Sequence, residues 1–142
     1  MPNVIKANID TAFTADSTLN GALSSLASGS RAAGAVISNH INLALLCEYS
    51  IQLGSINPSG APYLEVHLCR LLGDGSTYED IVASNVVANM AITTGASAKN
   101  GAVQFEIPPG TFNVVVVNHT GVTLASGGNS IHYRLSGYTV NG

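Results

Sequence analysis

From residue 36 onward, the apolar side chains of this 142-residue chain tend to recur at every second position. Ile41, Leu43, Leu45, Cys47, Tyr49, Ile51 and Leu53 occupy one face of an extended segment; Asn42, Glu48, Ser50 and Gln52 occupy the other. That period is the geometry of a β-strand, whose successive side chains point to opposite faces. A helix, at about 3.6 residues per turn, would scatter the same residues around its axis. The pattern returns three times. Leu64, Val66 and Leu68 alternate with Tyr63, Glu65, His67 and Cys69; Val103, Phe105 and Ile107 with Gln104 and Glu106; Ile131, Tyr133 and Leu135 with His132, Arg134 and Ser136. The segment 112–117 differs, because Phe112, Val114 and Val116 share one face while Asn113, Val115 and Val117 share the other. A strand apolar on both faces belongs in the middle of a sheet, covered by the core on one side and by an arm or a neighbouring subunit on the other. Residues 81–94 are apolar without clear alternation and read as a further strand.

Turn-forming clusters separate these segments: Gly54 to Gly60, Gly73-Asp74-Gly75-Ser76, Pro108-Pro109-Gly110, and Gly127-Gly128-Asn129, the last reading as a hairpin turn. Six or seven strands with one polar face each predict antiparallel sheets packed face to face. The expected fold is all-β, an antiparallel sandwich of the jelly-roll kind. Its core should hold Leu43, Leu45, Leu64, Val66, Leu68, Val103, Phe105, Phe112, Val114, Val116, Ile131 and Tyr133.

Residues 1–35 have another character, and the domain organisation is read as an N-terminal arm or short helix over 1–35 followed by a β-sandwich domain over 36–142. Asp10 to Gly34 is rich in Ala, Ser, Thr and Gly. Leu19, Leu23 and Leu26 recur at helical spacing, with Asp16 or Ser17 as N-cap, so a short helix at about 17–27 and a partly ordered arm both fit. The Gly-Ser stretch 28–34 reads as a flexible connection.

Only 9% of the residues are charged, against roughly a quarter in an ordinary soluble domain. Ser, Thr, Asn and Gly take their place, which suits a surface that ends up against other protein. The five basic residues are scattered, so nothing marks a nucleic-acid surface. The longest apolar run, Val114 to Val117, is too short to span a bilayer, and Met1 to Lys6 has no signal-peptide character. Cys47 and Cys69 match no zinc spacing and are expected as reduced, buried thiols on opposite strand faces, too far apart to bond.

The sequence nominates no catalytic, cofactor or metal site, and no enzyme activity is expected. His40, His67, His119 and His132 show no metal-ligand spacing, and alternation places His67 and His132 on polar faces, as surface or interface residues. Asp74, Glu79 and Asp80 form the densest acidic group, but their spacing is not that of a calcium loop; a turn followed by a solvated segment is the reading. Asn118-His119-Thr120 matches a glycosylation sequon by chance. Low charge and the absence of Trp count against a sugar-binding groove.

Several short runs, taken in order, carry a resemblance. They are Thr18-Leu19-Asn20, Leu26-Ala27-Ser28-Gly29-Ser30, Asp74-Gly75-Ser76-Thr77-Tyr78-Glu79-Asp80, Ile107-Pro108-Pro109-Gly110-Thr111-Phe112, Asn118-His119-Thr120-Gly121 and Ser126-Gly127-Gly128-Asn129. Together they resemble small tailed-phage virion proteins of the cement (decoration) type. The resemblance implies a jelly roll that docks on the outside of a phage head and stabilises it. The expected partners are the major capsid protein and the chain itself, as a homodimer ahead of a trimer, without nucleic acid or membrane. The expected location is the capsid exterior, after synthesis in the host cytoplasm. The alternative is a receptor- or carbohydrate-binding module of a tail or head fibre, with Tyr63, Tyr78 and Tyr138 as its candidate aromatics.

Overall fold

The computed structural model describes the backbone of residues 4–9, 12–40 and 44–141, with side chains over 12–40 and 44–137. The alternating segments form two antiparallel sheets packed on one another. In the first, β1 (Val4–Ile9), β10 (Ser130–Asn141), β5 (Leu46–Ile56) and β8 (Ser97–Glu106) lie in that order, and the short β2 (Thr14–Ala15) also pairs with β10. In the second, the order is β3 (Arg31–Ala33), β9 (Gly110–His119), β6 (Tyr63–Arg70) and β7 (Val86–Ala91), with β4 (Ile37–Asn39) on β9 as well. The chain changes sheet between β2 and β3, β4 and β5, β5 and β6, β7 and β8, β8 and β9, and β9 and β10. This strand order is that of a jelly roll, two Greek keys folded into one sandwich.

The core follows from the alternation. Cys47, Tyr49, Ile51 and Leu53 of β5 face Leu64 and Val66 of β6 and Phe112, Val114 and Val116 of β9 within one buried cluster. Val103, Phe105 and Ile131 join it, and Tyr133 packs at its border, stacked on Tyr49 with ring centroids 5.6 Å apart. One expected core residue does not belong: Leu45 is 51% exposed. The cause is local. The Asn39 side chain clamps Ala44, accepting from its N–H (2.7 Å) and donating to its C=O (2.9 Å), so Ala44 is the buried residue at the entry to β5. Leu45 still closes the sheet through its backbone, donating to Ser136 O and accepting from Ile107 N. Leu43, with Ile41 and Asn42, lies outside the described residues.

The described part of the expected arm is built into the sandwich. Helix α1 (Ser17–Leu23) is shorter than the predicted span, and Asp16 caps it, accepting from Leu19 N at 2.9 Å. Leu19 and Leu23 are fully buried in the same core as the strands. The Asp16 carboxylate is itself fully buried; it also accepts from Ala35 N (3.0 Å) and from the Tyr49 hydroxyl (2.8 Å). One side chain thus ties the helix start, the β3–β4 link and the first sheet together. The expected flexible stretch contains β3, whose Arg31, Ala32 and Ala33 pair with Val117, Val116 and Val115. Small residues there allow the backbone to lie flat along β9 and still bury Ala32.

Candidate functional site

The outer face of the second sheet is where the sequence departs most from a plain sandwich. Tyr63, Glu65, His67 and Cys69 of β6 point away from the core, opposite His119, Val117, Val115 and Asn113 of β9. β9 is interior to its sheet, as its double apolar face requires. Part of its outer face is covered by the chain's own β6–β7 connection, residues 71–85.

That cover corrects the placement of His67. It was expected on an exposed polar face, yet it is 2% exposed. Its Nδ1 lies 2.7 Å from Asn85 Oδ1, and its Nε2 lies 2.6 Å from Glu65 Oε1. Asn85 latches the connection: Nδ2 donates to Asp80 O at 2.7 Å, and Oδ1 accepts from Val82 N at 3.2 Å. His119 reaches the same Glu65 oxygen at 3.7 Å, and Tyr63 stacks on the His119 ring at 4.8 Å. Tyr63 is therefore half-buried. His40 and His132 lie elsewhere, beside Thr111 and Ser130.

The acidic run is a turn anchored to the sheet. Asp74 accepts from the Thr77 hydroxyl and from the backbone N–H of Ser76 and Thr77; these bonds lower its carboxyl to about 2. Glu79 accepts twice from the Arg70 guanidinium, at 2.7 and 2.9 Å, and Arg70 holds its carboxyl below the usual range. Among the described residues, no group of three or more His, Cys, Asp or Glu side chains is placed to hold a metal ion.

Two clefts flank the connection. One, of about 580 Å³, opens at the end of the sandwich beside Leu68, Leu72, Val82, Val87 and Pro108. The other, of about 350 Å³, lies between the connection and strands β3 and β9, lined by Arg31, Cys69, Tyr78, Asp80, Asn113 and Val115. Of the candidate tyrosines, only Tyr78 lines this second cleft; the Tyr138 side chain lies outside the described residues. Arg31 and Asn113 carried no motif. Asn113, a lone polar residue in a run of valines, was the sole hint.

The remaining sequence features are structural. Cys47 sits in the core, where burial pushes its thiol up to about 12, and Cys69 sits under the outer cover; both are free. Burial also raises the Cys69 thiol. Asn118 of the sequon is fully buried and bonded inside its own turn, which leaves no amide for a glycan. Gly127-Gly128-Asn129 is not a hairpin turn, because β9 and β10 belong to different sheets. It is part of the crossing between them, pressed so closely on Gly54 that a Cβ there would collide with the Gly127 carbonyl.

No protein-family model matches the chain, and a search of curated proteins finds no match.

Proposed function

We propose that this protein is a structural virion protein that docks on the outer surface of a phage capsid, contacts the major capsid protein, self-associates and stabilises the head. The observation that carries the reading is the gathering of exposed apolar side chains at one end of the sandwich. Of the five large hydrophobic residues exposed among the described ones, Leu45, Leu72, Val82 and Val36 belong to this end: 51%, 44%, 50% and 63% exposed. Leu45 directly precedes Leu46, which pairs with Glu106 and Ser136; Leu72 follows Arg70, which pairs with Phe112; Val36 precedes Ile37, also paired with Phe112. Val82 lines one cleft with Leu72 and Pro108. Exposed apolar side chains gathered at one end suit a surface for another protein. The low charge supports it, because uncharged polar groups lose less on burial than ions do. Many such weak contacts on a lattice add through effective concentration, and binding stabilises the capsid state it selects.

The test is reconstitution. Capsids stripped of this protein are remixed with it and heated beside bare capsids. Bound protein and later melting are expected, with weak dependence on salt. Equal melting with no protein bound would overturn the proposal.

A further inference from the structure

The first sheet ends in one long edge that nothing in the described chain covers. β1 is its last strand, and it pairs with β10 from Val4↔Asn141 to Ile9↔Ser136 without a register shift. The backbone N–H and C=O groups along its other side meet no partner among the described residues. The strand contains no proline and one charge, Lys6. The remaining edges are managed. β7 and β8 close on each other, so that a Cβ on Gly101 would collide with the Met90 side chain. β3 and β4 are three residues each, and the link between them is spent inward: Gly34 N donates to Val114 O and Ala35 N to the Asp16 carboxylate. β1 also inverts the amphipathic pattern of its neighbour. On β10, Ile131, Tyr133 and Leu135 pack in or against the core, so the alternate positions 132, 134, 136, 138 and 140 fall on the outer face of the sheet. The register sets Ile9, Ala7 and Ile5 opposite Ser136, Tyr138 and Val140, on that same outer face. The apolar positions of β1 thus fall on the side away from the sandwich it borders.

We infer that β1 is the edge through which this protein self-associates: two copies pair β1 with β1, antiparallel, about a two-fold axis at Ala7. This names the surface of the self-association proposed above and rests on that part of the reading, not on capsid docking. An open edge strand is a template for another strand. A two-fold contact requires a surface complementary to itself. A second copy of β1 meets both conditions, and the sequence of the strand selects the register. A two-fold axis perpendicular to the sheet keeps outer positions opposite outer positions, so each residue meets one of the same parity in the other copy. An axis at Lys6 would set two lysines directly opposite, and like charges so placed are destabilising. Axes at Ile5 or Asn8 leave only three residues of β1 overlapping, against five about Ala7. The axis at Ala7 sets Ala7 opposite Ala7, Ile5 opposite Ile9 and Lys6 opposite Asn8. Apolar then meets apolar on the outer face, and the charge meets a neutral amide on the other. The first sheets of the two copies join into one that crosses the dimer.

The full chain is examined by sedimentation equilibrium over a concentration series, without capsids, and thermal melting confirms that each variant folds. The wild type is expected to form a dimer. Ala7→Lys and Ala7→Glu each place like charges opposite one another across the axis, and each is expected to weaken association by about tenfold or more. An equimolar mixture of the two variants places opposite charges there and is expected to recover association to within about threefold of the wild type. Should the Ala7 variants fail to fold, Asn8→Glu decides: it sets a carboxylate opposite Lys6 and is expected to tighten the dimer by about threefold or more. A wild type that stays monomeric overturns this inference together with the self-association proposed above. A trimer, a dimer that survives Ala7→Lys, a mixture that stays dissociated, or an Asn8→Glu dimer no tighter than the wild type overturns this edge alone and leaves capsid docking standing.

Discussion

The two ends of the sandwich are built from similar strands but finished differently. At the end formed by 53–62, 93–99 and 118–130, three long polar side chains are bonded within the chain, although the buried Asn20 Oδ1 beside 126–129 has no partner. Asn118 donates to Leu26 O and Val122 O and accepts from the backbone and hydroxyl of Thr120. Asn129 accepts from Gly54 N and donates to Ala125 O. Lys99, 2% exposed, holds its ammonium among Gly95 O, Ser97 Oγ and Thr93 Oγ1 at 2.7, 2.8 and 3.4 Å. At the opposite end, one asparagine, Asn39, clamps Ala44 and Pro108, and around it Leu45, Leu72, Val82 and Val36 face outward. The first end is closed by hydrogen bonds that a partner could only disturb. The second keeps apolar surface that a partner could bury. The contrast teaches that turn composition alone does not distinguish a sealed end from a docking end; what matters is whether the polar groups are spent internally.

The comparison can be broken first in the core beneath the open end. Phe112 is fully buried there, and Phe112→Ala should cost about 3–5 kcal/mol in denaturant unfolding. A loss under about 1 kcal/mol would mean that this end is not closed below its exposed rim. At the sealed end, Asn118→Ala removes a side chain bonded to both neighbouring segments and should cost about 3 kcal/mol by the same measurement. Asn113→Leu has the opposite sign: removing an unpaired buried acceptor should raise stability by about 1 kcal/mol. Destabilisation there would show that the amide has a structural partner.

Smaller effects sharpen the contrast. Leu72→Ser combined with Val82→Ser should change stability by no more than about 0.5 kcal/mol, as exposed positions do, while abolishing capsid binding. Retained binding would move the docking surface away from this end. The smallest effect is local and pH-driven. The Asp74 carboxyl is lowered to about 2 by the Thr77 hydroxyl and two backbone N–H groups. Its contribution to the turn is therefore fully present above the ordinary carboxylate range and is lost as pH falls through about 2. Amide shifts of Ser76 and Thr77 should titrate in that window, and movement near pH 4 would break the assignment.

Alternation by itself determined which residues of β5, β6, β8 and β9 face the core, because strand geometry fixes the side of each side chain. The same logic put Cys47 and Cys69 on opposite faces, and both are free. Leucine spacing allowed a helix near Ser17 or a partly ordered arm, with Asp16 or Ser17 as cap; the structure has the helix, capped by Asp16. Where the helix ended was not legible, because Ser24 Oγ donates to Ser126 O and Ser25 N to Ala125 O, about a hundred residues away. His67 is the clearest case of what tertiary structure alone decided. Its strand position predicts an outward polar face, and it is outward, but residues 71–85 fold over it through Asn85. Leu45 is the reverse: its alternation points inward, and the Asn39 clamp on Ala44 turns it out. The smaller cleft joins Arg31, Tyr78 and Asn113 from three distant segments. Local periodicity carries the direction of a side chain relative to its own strand. It carries nothing about which remote loop will cover that face, since covering depends on contacts between residues far apart in the chain.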